Sequence, residues 1–470
     1  MTTLVTRMEQ EAGRPLTSLE IFDLTAAREQ TLSRMLMLYI STGLLFLLLP
    51  GTFFGVWNLL AISSHRAADS VSPAWIQAHG HAQIFGWIGT FIMGIGFYSI
   101  PKLRRMSPFS LYAVWASWVL WTAGVSLRWL TGVYPWQWRA LLPLSAGLEL
   151  AAFVIFFRTV SGHRPQDSGK SKLEEWVFVV IGGSIGLLLT LVVNFGITLF
   201  LATWGTSPEI PADMDRRFLV LETWGCLVPF VWGFSAKWFP VFLGLRPVRG
   251  RVLLWALGMN FLGVLTALWG WMVVAVLCLL SGMALAVYAL RLFEFPERLA
   301  KVQGIHSSFP IFVRLAYVWA LIAAGLGVWA SSVENSHGIW GASRHALTVG
   351  FLATMVFGIG QRVLPAFSGM RLLFSTKLMF MAMVLLAIGC LLRVSAEVLA
   401  YQGFVRSAWS WLPVSAIVEM TAVTLFAANL FATFLRHRPA VLASSWSHSR
   451  SPNRRVCAHS RIGERSAGGN

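Results

Sequence analysis

Apolar runs of membrane length recur along the chain, beginning near positions 35, 75, 109, 138, 175, 217, 252, 273, 311, 341, 374 and 411. Each holds roughly the 20 residues that a helix needs to cross a hydrocarbon core. The pattern predicts an all-α, polytopic membrane protein of twelve transmembrane helices surrounded by lipid. Its finest division lies at Gly270 to Val273, where the seventh and eighth runs almost merge. Residues 1–34 mix acids and bases without the short apolar core and small-residue cleavage site of a signal peptide, and read as a cytoplasmic tail. Residues 437–470 are rich in Ser and Arg with little apolar content and read as a disordered basic tail. The transmembrane domain is then 35–436.

Charge adds an orientation. Lys and Arg gather in the even-numbered connections: Lys102, Arg104 and Arg105; Arg158, Arg164, Lys170 and Lys172; Arg246, Arg249 and Arg251; Arg291, Arg298 and Lys301; Arg371 and Lys377. The odd-numbered connections are sparse. Because cations stay on the cytoplasmic side, both termini are expected there, in a bacterial cytoplasmic membrane. The formal net charge of +17 then reads as topology and tail, with no nucleic acid as partner. Cys226, Cys278, Cys390 and Cys457 lie far apart, with no CxxC and no CxxCH for covalent haem. No P-loop, HExxH or GxSxG supports phosphate-driven or hydrolytic chemistry.

A repeat runs through the apolar pattern. A shift of 264 residues carries His81, Ala82, Gly86, Thr90, Gly94, Gly96 and Pro101 onto His345, Ala346, Gly350, Thr354, Gly358, Gly360 and Pro365. Gly225, Gly233 and Pro240 keep the same separations in the sixth run, without a histidine. Glu149 and Glu419 follow equivalent prolines, Pro143 and Pro413, and Arg128 and Arg393 fall near the ends of the third and eleventh runs. Three pseudo-symmetric groups of four helices are predicted, the first and third most alike.

The repeat gives the histidines a common depth. At 1.5 Å per residue, His81 and His345 stand ~30 Å from Pro101 and Pro365, near the outer edge of the core. His79 and His81, two positions apart, point to opposite sides of one helix. Rotation about a common axis would let His79 and His345 share one bay while His81 faces another. Two opposed imidazoles suit an axially ligated porphyrin iron. Gly86, Gly94, Gly350 and Gly358 would either make room for a macrocycle or let helices pack closely. Arg128 and Arg393 would bind haem propionates, pair with Glu149 and Glu419, or do both. Glu222 lies near the same layer, as a proton carrier or a cap of the interface.

On these residues the chain resembles the NnrS family, haem- and copper-containing membrane proteins linked to nitric oxide metabolism, and more distantly subunit I of haem-copper oxidases. The resemblance spans about residues 35–436. It rests on "HGHAQIFGW", which fits an HxHxxxFG pattern at His79, His81, Phe85 and Gly86, and on "HALTVGFLATM" beginning at His345. It implies a b-type haem ligated by His79 and His345, with Arg128 and Arg393 as further cofactor-binding candidates. His81 would be a ligand for copper or a second haem. Nitric oxide or another diatomic gas and a membrane or periplasmic electron-transfer partner would complete the picture. The chain departs from the oxidase pattern where a binuclear centre would stand: Ser343 occupies the place of a tenth-helix ligand, and neither the sixth run nor Arg251 to Met272 has a histidine. A catalytic respiratory subunit, cytochrome oxidase or nitric oxide reductase-like, is one rival. A non-haem transporter or channel using Glu149, Glu222 and Glu419 is the other.

Overall fold

The structure, a computed structural model, describes residues 17–103, 109–162, 174–334, 336–369 and 371–436. The proposed basic tail at 437–470 and the loop cations Arg104, Arg105, Arg164, Lys170 and Lys172 lie outside the described residues. Among the described residues eleven helices are long and apolar enough to span a membrane. They are α1 (Asp23–His65), α2 (Pro73–Leu103), α4 (Trp138–Ser161), α5 (Glu175–Trp204), α6 (Ala212–Phe242), α7 (Gly250–Leu268), α8 (Met272–Ala289), α9 (Phe309–Ser332), α10 (Gly338–Phe367), α11 (Thr376–Tyr401) and α12 (Ala408–Leu435). The remaining predicted crossing is α3 (Leu111–Val133), a 23-residue helix whose several tryptophans, serines and Arg128 dilute its apolarity. The chain is a multi-pass, all-helical membrane protein.

Helix ends follow local chemistry. The first helix already begins at Ser18, because Thr17 and Glu20 form a capping box in front of it. Ser110 and Ser375 accept N–H groups from Tyr112 and Leu378 at the starts of α3 and α11. Between α7 and α8 the backbone reverses at Gly270, where φ is +92°, a conformation that glycine adopts without strain. The merged runs of the sequence are therefore two helices.

Three hairpins, α3–α4, α7–α8 and α11–α12, carry the repeat into three dimensions. Each is crossed at a glycine in the same relation to its partner. A Cβ on Gly124 would stand 2.7 Å from Glu149 Cγ, one on Gly263 2.9 Å from Leu279 Cγ, and one on Gly389 2.6 Å from Glu419 Cγ. Only a residue without a side chain lets these helices approach so closely. The same register places Arg128, Ala267 and Arg393 one turn after each glycine.

The helices that bear the histidines depart from regular α-geometry at matching points. A π-helical stretch runs over Ala82–Gly89 in α2, Leu221–Leu227 in α6 and Ala346–Ala353 in α10. Such wide turns leave backbone groups to be satisfied otherwise. Thr90 Oγ1 donates to Gly86 O at 2.6 Å and Thr354 Oγ1 to Val349 O at 3.3 Å, which gives the repeated threonines a structural role. Trp121 Nε1 reaches across from α3 to Phe85 O at 3.2 Å.

The repeated glycines serve packing. A Cβ at Gly86 would meet Phe46, at Gly94 Tyr39 and at Gly350 Trp319, all within 3 Å, while Gly358 faces Phe309 and Met383. Large side chains from neighbouring helices already fill the space. Of the two roles that the sequence left open for these glycines, the contacts at Gly86, Gly94 and Gly350 favour close helix packing.

Candidate functional site

His79 and His81 face opposite sides of α2, as their spacing requires. His79 Nδ1 lies 2.8 Å from Gly51 O in a fourth π-helical stretch, Leu47–Phe53, around Pro50 of α1. A carbonyl only accepts, so Nδ1 carries the proton and the Nε2 lone pair is left available. The ring lies flat against Gly55, where a Cβ would stand 2.5 Å from His79 Cε1.

His345 on α10 has the same tautomer. Its Nδ1 is 3.0 Å from Gly341 O and 3.0 Å from Glu397 Oε2, and Arg393 Nη2 approaches its Nε2 at 3.3 Å. Arg393 also pairs with Glu397 Oε1 at 3.0 Å, one turn along α11. His345 and Arg393 are the titratable side chains close enough to His79 to act on it electrostatically. These three predicted residues, on α2, α10 and α11, thus lie within electrostatic reach of one another. Among the described residues, Arg393 Nε and Nη1, Glu419 Oε1 and both amide atoms of Asn58 are buried without partners.

His81 belongs elsewhere. Its Nε2 lies 2.8 Å from Glu149 Oε1 on α4, and its ring stacks on Phe85 with centroids 4.4 Å apart. The charged neighbours of Arg128 are Glu149, Asp215 and Glu222, so Arg128 stands with His81 and apart from His79. His81, Arg128 and Glu149 are 8%, 3% and 0% exposed. The second group of helices carries Val220, Ala267 and Leu279 at the corresponding positions, so it has no polar set of this kind.

Pairing with Glu419 was one of the roles that the sequence left open for Arg393; its ion partner is Glu397. Glu397 was overlooked, although an Arg and a Glu four residues apart in an apolar helix are a legible signal. Ser343, at the place of the tenth-helix ligand, donates to Ala323 O at 2.8 Å. Among the described residues, no three His, Cys, Asp or Glu side chains gather in a way that could hold a metal ion.

Chemically, these residues offer two imidazoles with Nδ1 held by a backbone carbonyl or a carboxylate; Nε2 of His79 is open, and Nε2 of His345 accepts from Arg393. That outer hydrogen bonding is what orients histidine metal ligands. Unpartnered guanidinium nitrogens beside them suit a cofactor's carboxylates. The donor types therefore suit a porphyrin, imidazole for its iron and guanidinium for its carboxylates, on condition that Arg393 yields His345 Nε2.

Comparison with known proteins agrees at the level of fold. A heme-copper terminal oxidase dimer solved by electron cryo-microscopy matches over 87% of this chain and 85% of its own, with a TM-score of 0.52 and 12% sequence identity. The chain is thus a polytopic membrane protein with the fold of that oxidase chain. A family described only as a domain of unknown function (DUF8744) matches residues 241–433. No curated protein matches.

Proposed function

We propose that the chain is a haem-binding protein of the bacterial cytoplasmic membrane, of NnrS type, acting in nitric oxide metabolism or membrane redox chemistry, with both termini cytoplasmic. The observation that carries this reading is the matched pair of imidazoles. His79 and His345 sit on the equivalent helices α2 and α10, and each has Nδ1 occupied by an acceptor; His79 keeps Nε2 for a ligand, and His345 would gain its own once Arg393 turns away. A b-type haem is the cofactor, since the sequence has no CxxCH for covalent attachment. Bound there, it would supply one-electron redox chemistry or, with an open iron position, gas binding. His79 and His345 would ligate the iron, Glu397 would orient His345, and Arg393 would exchange its contact with His345 for the haem propionates. Copper at His81 would have a single free nitrogen, Nδ1, because Nε2 is engaged by Glu149.

Optical spectra of protein purified from haem-replete cells test the reading. A reduced-minus-oxidised Soret and α band is expected, lost in His79→Ala and in His345→Ala and kept in His81→Ala. A colourless, haem-free preparation sinks the proposal and favours the transporter reading.

A further inference from the structure

The loop that follows α8 sorts its charges into two sets. Glu294 bonds Arg249 at 2.7 Å and Arg291 at 2.8 Å, and Glu297 bonds Arg246 at 2.8 Å. The backbone fastens the same loop to the end of α6. Glu297 N–H and Arg298 N–H donate to Gly244 O at 2.9 and 3.2 Å, and Lys301 N–H donates to Phe242 O at 3.0 Å. Gly244 permits the approach: its φ is +69°, and a Cβ there would overlap Arg298 O. Both acids are consumed by this clamp.

What faces outward is cationic and apolar. Arg251, Arg298 and Lys301 are exposed, and among the described residues their side chains make no hydrogen bond or ion pair. Between them Phe295 is 96% and Leu299 94% exposed, and Trp255, one turn along α7 from Arg251, is 73% exposed. Large apolar side chains held this far out on a fastened loop mark an interaction surface. At the ends of membrane spans, the adjoining medium is the headgroup layer, where aromatic rings and long cationic side chains are favoured together.

We infer that this loop binds anionic phospholipid. Arg251, Arg298 and Lys301 contact the headgroup phosphates, and Phe295 and Leu299 insert beneath them. Charge complementarity selects the anionic class, since a zwitterionic headgroup offers the same phosphate with its charge already balanced. The clamp through Glu294 and Glu297 keeps those acids from competing for the cations.

The test uses the full chain, reconstituted in vesicles of phosphatidylcholine mixed with phosphatidylglycerol and re-extracted in mild detergent, with retained lipid measured by mass spectrometry. Phosphatidylglycerol should be enriched several-fold over its bulk share. The enrichment should vanish when Arg251, Arg298 and Lys301 are all changed to Ala, and weaken in a Phe295→Ser, Leu299→Ser double variant. Should the triple variant aggregate, Arg298→Gln with Lys301→Gln gives the same readout with a smaller fall. Retention at the bulk ratio in the unaltered protein, or enrichment indifferent to the charge variants, overturns the inference. Displacement of the lipid by inorganic phosphate alone also overturns it, in favour of a free-anion site.

Discussion

Glu397 holds two neighbours at once: one oxygen lies 3.0 Å from His345 Nδ1 and the other 3.0 Å from Arg393 Nη2. A single carboxylate on α11 thereby sets the tautomer of the imidazole and anchors the guanidinium beside it. His79, by contrast, has its Nδ1 held by the neutral carbonyl of Gly51. The two candidate ligands are alike in geometry and unlike in the charge behind them.

That difference is testable with Glu397→Gln. The amide keeps the size and loses the charge, so His345 becomes a weaker donor and Arg393 loses its ion partner. On the haem reading, redox titration of the bound chromophore should give a higher midpoint potential. Loss of an outer-shell partner typically costs about 10–100-fold in metal affinity, so haem retention on dilution should fall. An unchanged potential and unchanged retention would remove Glu397 from the site.

Among the glycines of the described residues, Gly186 on α5 is packed most tightly: a Cβ there would overlap Gly225 O on α6. Gly186→Ala must push the two helices apart, and overpacking of this kind costs about 1–3 kcal/mol. Thermal unfolding in detergent should show a clearly lowered midpoint. Gly196→Ala on the same helix, which meets nothing within 4 Å, should leave it almost unmoved.

Glu149 serves His81 directly and is the first charged neighbour of Arg128. Removing it leaves the buried His81 N–H without its acceptor, which costs about 1–3 kcal/mol, and also takes a negative charge from the surroundings of buried Arg128. Glu149→Ala should therefore destabilise strongly. Glu149→Gln keeps an acceptor for His81 Nε2 and should cost less in the same unfolding measurement. Equal losses would show that packing against Gly124, and not polarity, is what the position supplies.

Outside the spans, Glu174 accepts from Lys237 Nζ at 2.7 Å and from Trp176 Nε1 at 2.6 Å. The bond to Lys237 is the main reason its carboxyl titrates below the ordinary 4.5. A depressed folded-state value contributes stability above the unfolded value, and that contribution is lost as pH falls through the folded one. Solvent screening keeps the gain small, since the Glu174 side chain is 61% exposed. Stability followed from neutral pH to below 4.5 should fall slightly less steeply in Glu174→Gln than in the unaltered protein.

Much of the architecture was legible in the chain because hydropathy and repeat are local properties. The spans, the reversal at Gly270, the opposed faces of His79 and His81, and the recurrence of His, Arg and Glu in the first and third groups all follow from spacing along single helices. Tertiary structure alone decided which charges meet. Glu397 rather than Glu419 takes Arg393, Arg128 stands with His81, and Phe46, Tyr39 and Trp319 fill the space beside the repeated glycines. The π-helical stretches break the regular 3.6-residue period within α2, α6 and α10, so which faces those helices present is not readable from that period alone. A charge buried at membrane depth takes the partner that the packed helices present to it, so its pairing is settled only when the whole bundle is assembled.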